Sequence, residues 1–142
     1  MDDPMNIIRE PEKLKHAEIT DKILHVFYKR VYPALGYGFL EKVYHNAIFF
    51  ALESEGLKVL REAPINVYFE NHQVGEYYAD LMIEDKVIVE LKTVDFIRPE
   101  HEAQLLNYLR ATHCEVGLLL NFGKKPEFKR LAYDNSRKIS RS

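Results

Sequence analysis

The chain has a single cysteine, Cys114, so neither an intrachain disulfide nor a thiolate zinc site can form within it. A reducing, cytoplasmic setting is the matching expectation. Six glycines and six prolines in 142 residues are too few for a low-complexity or disordered chain. No apolar run reaches the roughly 18 residues that would suggest a membrane span. The N-terminus is acidic, unlike the basic start of a signal peptide, so no membrane contact is expected. No internal repeat is visible. Net charge is −2, which carries no overall nucleic-acid signature. Charge is unevenly spread, however. Residues 124–142 hold seven basic and two acidic side chains, a net of +5 that suits either phosphate contact or a solvated tail.

What is present is ordinary globular material, 46% hydrophobic and 30% charged. One domain is expected, able to bury roughly two thirds of its unfolded surface. Residues 1–16, with Pro4 and Pro11 and little periodicity, read as an arm, 17–134 as the domain, and 135–142 as a basic tail. Ile19, Ile23, Val26 and Phe27 recur at helical spacing, predicting a helix from Ala17 to Tyr32 that Pro33 and then Gly36-Tyr37-Gly38 break. A second helix begins near Phe39, its stripe running through Leu40, Val43, Tyr44, Ala47, Ile48 and Ala51. Strands follow over Leu57–Arg61, Ile65–Phe69, Val74–Ile83 and Val87–Lys92, with Pro64 marking a bulge or break between the first two. Pro99 opens a helix to about Thr112. Glu115–Phe122 is a strand apolar on both faces, and Phe128–Tyr133 forms a final strand or short helix. The pattern predicts an α/β fold, a central mixed β-sheet flanked by helices on both faces.

The chemistry concentrates in the hairpin Tyr77–Lys92. Glu90 and Lys92 are two apart, so they share a strand face, and Asp80 lies ten residues earlier on the partner strand. A carboxylate and an ammonium in such an apolar strand cost several kcal/mol unless paired or bound to a metal. The turn decides whether Asp80 joins them. If Glu84-Asp85 were a two-residue turn, Ile83 would pair with Lys86 and Asp80 would face away from Glu90. A three-residue tip, Glu84 to Lys86, or a bulge near Asp80 is therefore required.

Gly38-Phe39-Leu40-Glu41-Lys42-Val43-Tyr44 matches G-x-x-E-x-x-Y, and this resembles the GxxExxY family of the PD-(D/E)XK nuclease superfamily. The order Asp80, Glu90-Leu91-Lys92, then Gln104-x-x-x-Tyr108 is similar to that superfamily's D…E-x-K…Q-x-x-x-Y pattern, in its RecB and λ-exonuclease-like group. Ala79 departs from it, standing where a proline would precede the Asp. The resemblance spans roughly residues 36–122. It implies a restriction-endonuclease-like three-layer fold and metal-dependent hydrolysis of nucleic acid, DNA ahead of RNA. Asp80, Glu90, the Leu91 carbonyl and Glu41 would hold Mg²⁺ or Mn²⁺. Lys92, with Glu90 and Asp80, would be catalytic, and Gln104 and Tyr108 would hold Lys92, a metal water or the phosphate. A non-catalytic nucleic-acid- or partner-binding module is the alternative. A homodimer or a partner protein would help grip a duplex. His45 and His101 lie near the site but lack metal-ligand spacing with each other, and Tyr44 reads as packing.

Overall fold

The computed structural model describes residues 14–139, so most of the expected arm, and the last three residues of the expected tail, lie outside the described residues. The helical start runs as α1 (Ala17–His25), a π-wound stretch (Val26–Val31) and α2 (Tyr32–Leu35). Pro33 does not break this run as expected. It falls in the first turn of α2, where a missing N–H costs nothing. Gly36 and Gly38, both at positive φ, then turn the chain into α3 (Glu41–Ser54).

The sheet has five strands in the order β1-β2-β3-β4-β5. These are β1 (Val59–Phe69), β2 (His72–Ile83), β3 (Val87–Lys92), β4 (Val116–Phe122) and β5 (Pro126–Ala132). Helix α4 (Pro99–Ala111) carries the chain between β3 and β4, which pair in parallel; every other pair is antiparallel. Of the bulge or break expected at Pro64, no break occurs, and the backbone irregularity falls two residues earlier, at Glu62 with φ 48. Pro64 pairs with Tyr78 inside one long strand at the sheet edge, where a missing donor is tolerated. Glu70 and Asn71, both at positive φ, make the tight turn to β2. The last segment is a strand rather than a helix.

Each face of the sheet has its own core. Ile23, Phe27, Tyr44, Ile48 and Leu52 from the N-terminal helices bury Leu81, Ile83, Val87, Val89, Leu91 and alternate β4 residues. On the other face Leu105, Tyr108 and Leu109 of α4 cover Ile65, Ala79, Met82, Ile88 and Leu119. A Cβ at Gly117 would come within 2.7 Å of the buried Leu105 side chain, so the glycine lets α4 seat closely against the strand. Among the described residues no helix is long and apolar enough to cross a membrane. Residues 135–138 are docked, with the Lys138 ammonium donating to the Thr112 and Cys114 carbonyls at 2.8 Å.

Candidate active site

The hairpin closes as the parity argument requires. Ile83 pairs with Val87, leaving Glu84, Asp85 and Lys86 as a three-residue tip. Leu81 pairs with Val89, and beyond that rung the ladder stops. Carboxylates take its place: the Asp80 N–H donates to Glu90 Oε2 at 2.8 Å, and the Leu91 N–H donates to Asp80 Oδ2 at 2.8 Å. Ala79 and Met82, three apart, both enter the α4-side core, so side-chain alternation slips between them, beside Asp80. Opposite, Glu62 of β1 adopts φ 48, a conformation rare for a non-glycine.

Glu90 is only 6% exposed, and its carboxyl is pushed up to about 8, first by burial and then by the Asp80 charge. The backbone bond from Asp80 and the Lys92 ammonium pull the other way without offsetting this. Lys92 is half-buried with no carboxylate within 4.0 Å among the described residues. From α4, Gln104 Nε2 donates to the Tyr108 hydroxyl at 3.1 Å. Burial, then the charges of Glu90 and Asp80, raise the Tyr108 phenol to about 12, so it remains a donor.

Glu41 arrives from the opposite face of the sheet, at the first turn of α3. It shares a cleft of about 710 Å³ with His45, Arg61, Glu62 and Asp80. Its carboxyl is raised by burial and by Asp80, with Lys92 and His45 opposing. Asp80, Glu90 and Lys92 therefore belong to one cluster, with Gln104 and Tyr108 along its α4 wall. Among the described residues no three His, Cys, Asp or Glu side chains converge as metal ligands. Asp80 and Glu90 suit a hard cation, since among the described residues each leaves one carboxylate oxygen without a protein hydrogen-bond donor, beside another carboxylate.

The remaining candidates are structural. His101 Nδ1 accepts from the Arg98 N–H at 3.0 Å and caps α4. Tyr44 stacks on Phe122 at 4.2 Å, and its hydroxyl donates to the Gly36 carbonyl. His45 differs, its Nε2 lying 3.1 Å from the Asp80 carbonyl. Two supports escaped the sequence reading. Asn121, fully buried, holds Val94 through both its amide oxygen and nitrogen at 2.9 Å, and Glu127 accepts from the Ile97 N–H at 2.7 Å. Together they fix the loop joining Lys92 to α4. A Cβ at Gly123 would lie 2.4 Å from the Val94 carbonyl, so the same loop needs that glycine. One signal was available: an asparagine inside a strand covered on both faces must have buried partners.

A mixed sheet sandwiched between helices, with an acid pair on its splayed hairpin, defines a restriction-endonuclease-like fold. The chain belongs to the PD-(D/E)XK nuclease superfamily, whose family model matches residues 17–131. Two solved structures share the fold. One is an alkaline exonuclease (LHK-Exo) from Laribacter hongkongensis, with TM-score 0.52 and 12% identity over 87% of this chain and 74% of that one. The other is SSO0001, with TM-score 0.52 and 17% identity over 66% of this chain; this chain spans 50% of its length. No match is found among curated proteins.

Proposed function

We infer that the protein hydrolyses phosphodiester bonds of nucleic acid, DNA ahead of RNA, with Mg²⁺ or Mn²⁺ at Asp80 and Glu90. The observation that carries this is the carboxylate exchange between Asp80 and Glu90, with the unpaired Lys92 ammonium two residues on. A backbone amide orients one oxygen of each acid, so the acids are preorganised at the cost of mutual repulsion. When bound, the cation supplies a water of lowered pKa and polarises the phosphate. The Leu91 carbonyl and Glu41 stand as further oxygen donors, Glu41 directly or through water.

Lys92 neutralises charge building on the phosphate oxygens and orients the attacking water. Gln104 and Tyr108 present an amide and a phenol hydrogen to the same region. No nucleophilic side chain is required, because water attacks directly.

The second reading is a non-catalytic nucleic-acid- or partner-binding module that keeps the nuclease fold. Plasmid, single-stranded DNA and RNA incubated with Mn²⁺ or EDTA separate the two, alongside Lys92→Ala and Glu90→Ala. The nuclease reading expects Mn²⁺-dependent cleavage that both variants lose. Equal cleavage by wild type and variants rejects the assigned site. Metal binding without cleavage supports the binding module.

A further inference from the structure

A second concavity, of about 930 Å³, opens along the outer side of α4, between the distal β1–β2 hairpin and the C-terminal turn. Its inner end is built from Gln104, Tyr108 and Tyr77, so it starts at the wall of the Asp80–Glu90 cluster. The Tyr77 and Tyr108 ring centroids lie 5.9 Å apart, and Tyr77 keeps half its surface exposed. At the outer end stands Tyr133, with the Arg137 guanidinium 4.4 Å and the Arg110 guanidinium 5.2 Å from its ring centroid. Among the described residues neither guanidinium has a carboxylate within 4.0 Å. Three cationic side chains, Arg110, Arg137 and Lys138, face two acids in the lining, Glu70 and Glu100.

We propose that this groove binds an unpaired stretch of nucleic acid, stacking a base on the exposed Tyr77 and taking phosphates on Arg110 and Arg137, which the Tyr133 ring holds in place by cation–π contact. The exposed Tyr77 face and the guanidiniums without acid partners are the two elements that single-strand binding combines. A cavity of this size encloses a small ligand; it suits a flexible strand passing over Tyr108 and cannot enclose a duplex. The nature of the occupant rests on the nuclease reading. It specifies that reading further: the substrate has a single-stranded segment beside the bond that is cut.

Binding is measured in EDTA, without turnover, by fluorescence anisotropy. The probes are labelled oligothymidylate and oligouridylate of about 12 nucleotides, and a blunt duplex of the same length. Wild type is expected to bind at least one single strand more tightly than the duplex. Tyr133→Ala and the double variant Arg110→Gln/Arg137→Gln are each expected to weaken it by about tenfold or more. Tyr133→Phe, which keeps the ring, is expected to retain binding. The double variant leaves the core intact and gives the answer should Tyr133→Ala unfold. Undiminished single-strand binding in the double variant overturns the proposal, as does preference for the duplex or no binding by wild type. Wild-type cleavage with Mn²⁺ is scored separately. Single-strand binding without cleavage sinks the nuclease reading and keeps the groove, whereas cleavage without such binding sinks the groove alone.

Discussion

Asp80 and Glu90 hold each other's strands. The Glu90 carboxylate accepts the Asp80 N–H, and the Asp80 carboxylate accepts the N–H of Leu91, each at 2.8 Å. Two backbone donors released where the β2–β3 ladder ends are thus satisfied by the acids that compose the site. The arrangement aims both carboxylates and brings like charges together in a buried place.

That conflict gives a pH dependence. In the metal-free protein Glu90 is raised from 4.5 to about 8, so the folded state holds its proton more tightly than the unfolded chain does. The contribution of this group to stability is then greatest in acid and falls as pH rises from about 4.5 to about 8, by at most about 1.4 kcal/mol per pH unit, and levels off above. Urea melts in EDTA across this range are expected to show the slope. Glu90→Gln, which keeps an acceptor for the Asp80 N–H without the charge, is expected to remove most of it and to abolish cleavage. A slope that Glu90→Gln leaves unchanged would refute the assignment.

Lys92→Ala is expected to lower the single-turnover rate by about 10²-fold or more while leaving the melting temperature nearly unchanged. The ammonium has no carboxylate within 4.0 Å among the described residues, so its removal strands no buried partner. A large drop in melting temperature would assign Lys92 to the fold instead.

Asn121→Ala removes both hydrogen bonds to Val94 and is expected to cost about 2–4 kcal/mol in denaturant melts. Because Asn121 acts through the loop leading to α4, it is a positioning residue. Asn121→Ala should also raise amide exchange in the Thr93–Arg98 loop more than elsewhere. Uniform exchange would show that the loop does not depend on it.

Cys114 is buried, and burial first, with Asp85 second, pushes its thiol up to about 11. Little thiolate exists near neutral pH, so iodoacetamide is expected to leave the native protein unmodified and to label it fully in denaturant. Rapid native labelling would contradict the burial.

Much of the fold was readable because its signals are local. The Ile19–Phe27 stripe, Pro99 at the start of α4 and the apolar run of β4 mark their elements without tertiary information. The errors lay where neighbours decide. Pro64 forecasts a break only if its strand is central, and the sheet order that puts β1 at an edge is not local. Pro33 forecasts a stop only if the helix before it keeps α winding, and the π-wound stretch does not.

At the site, the sequence alone determined that Asp80, Glu90 and Lys92 occupy adjoining strands, and that Glu90 and Lys92 share a face, because strand side chains alternate with period two. It also reduced the position of Asp80 to a question of parity at the Glu84–Lys86 tip. Tertiary structure decided the rest. Pairing of Ile83 with Val87 brought Asp80 to Glu90, and packing on opposite faces of the sheet brought Glu41 to Asp80 from the α3 side and lined Gln104 and Tyr108 along the pair from the α4 side. Those are relations across a sheet, and they depend on which helix covers which face, which no spacing along the chain encodes.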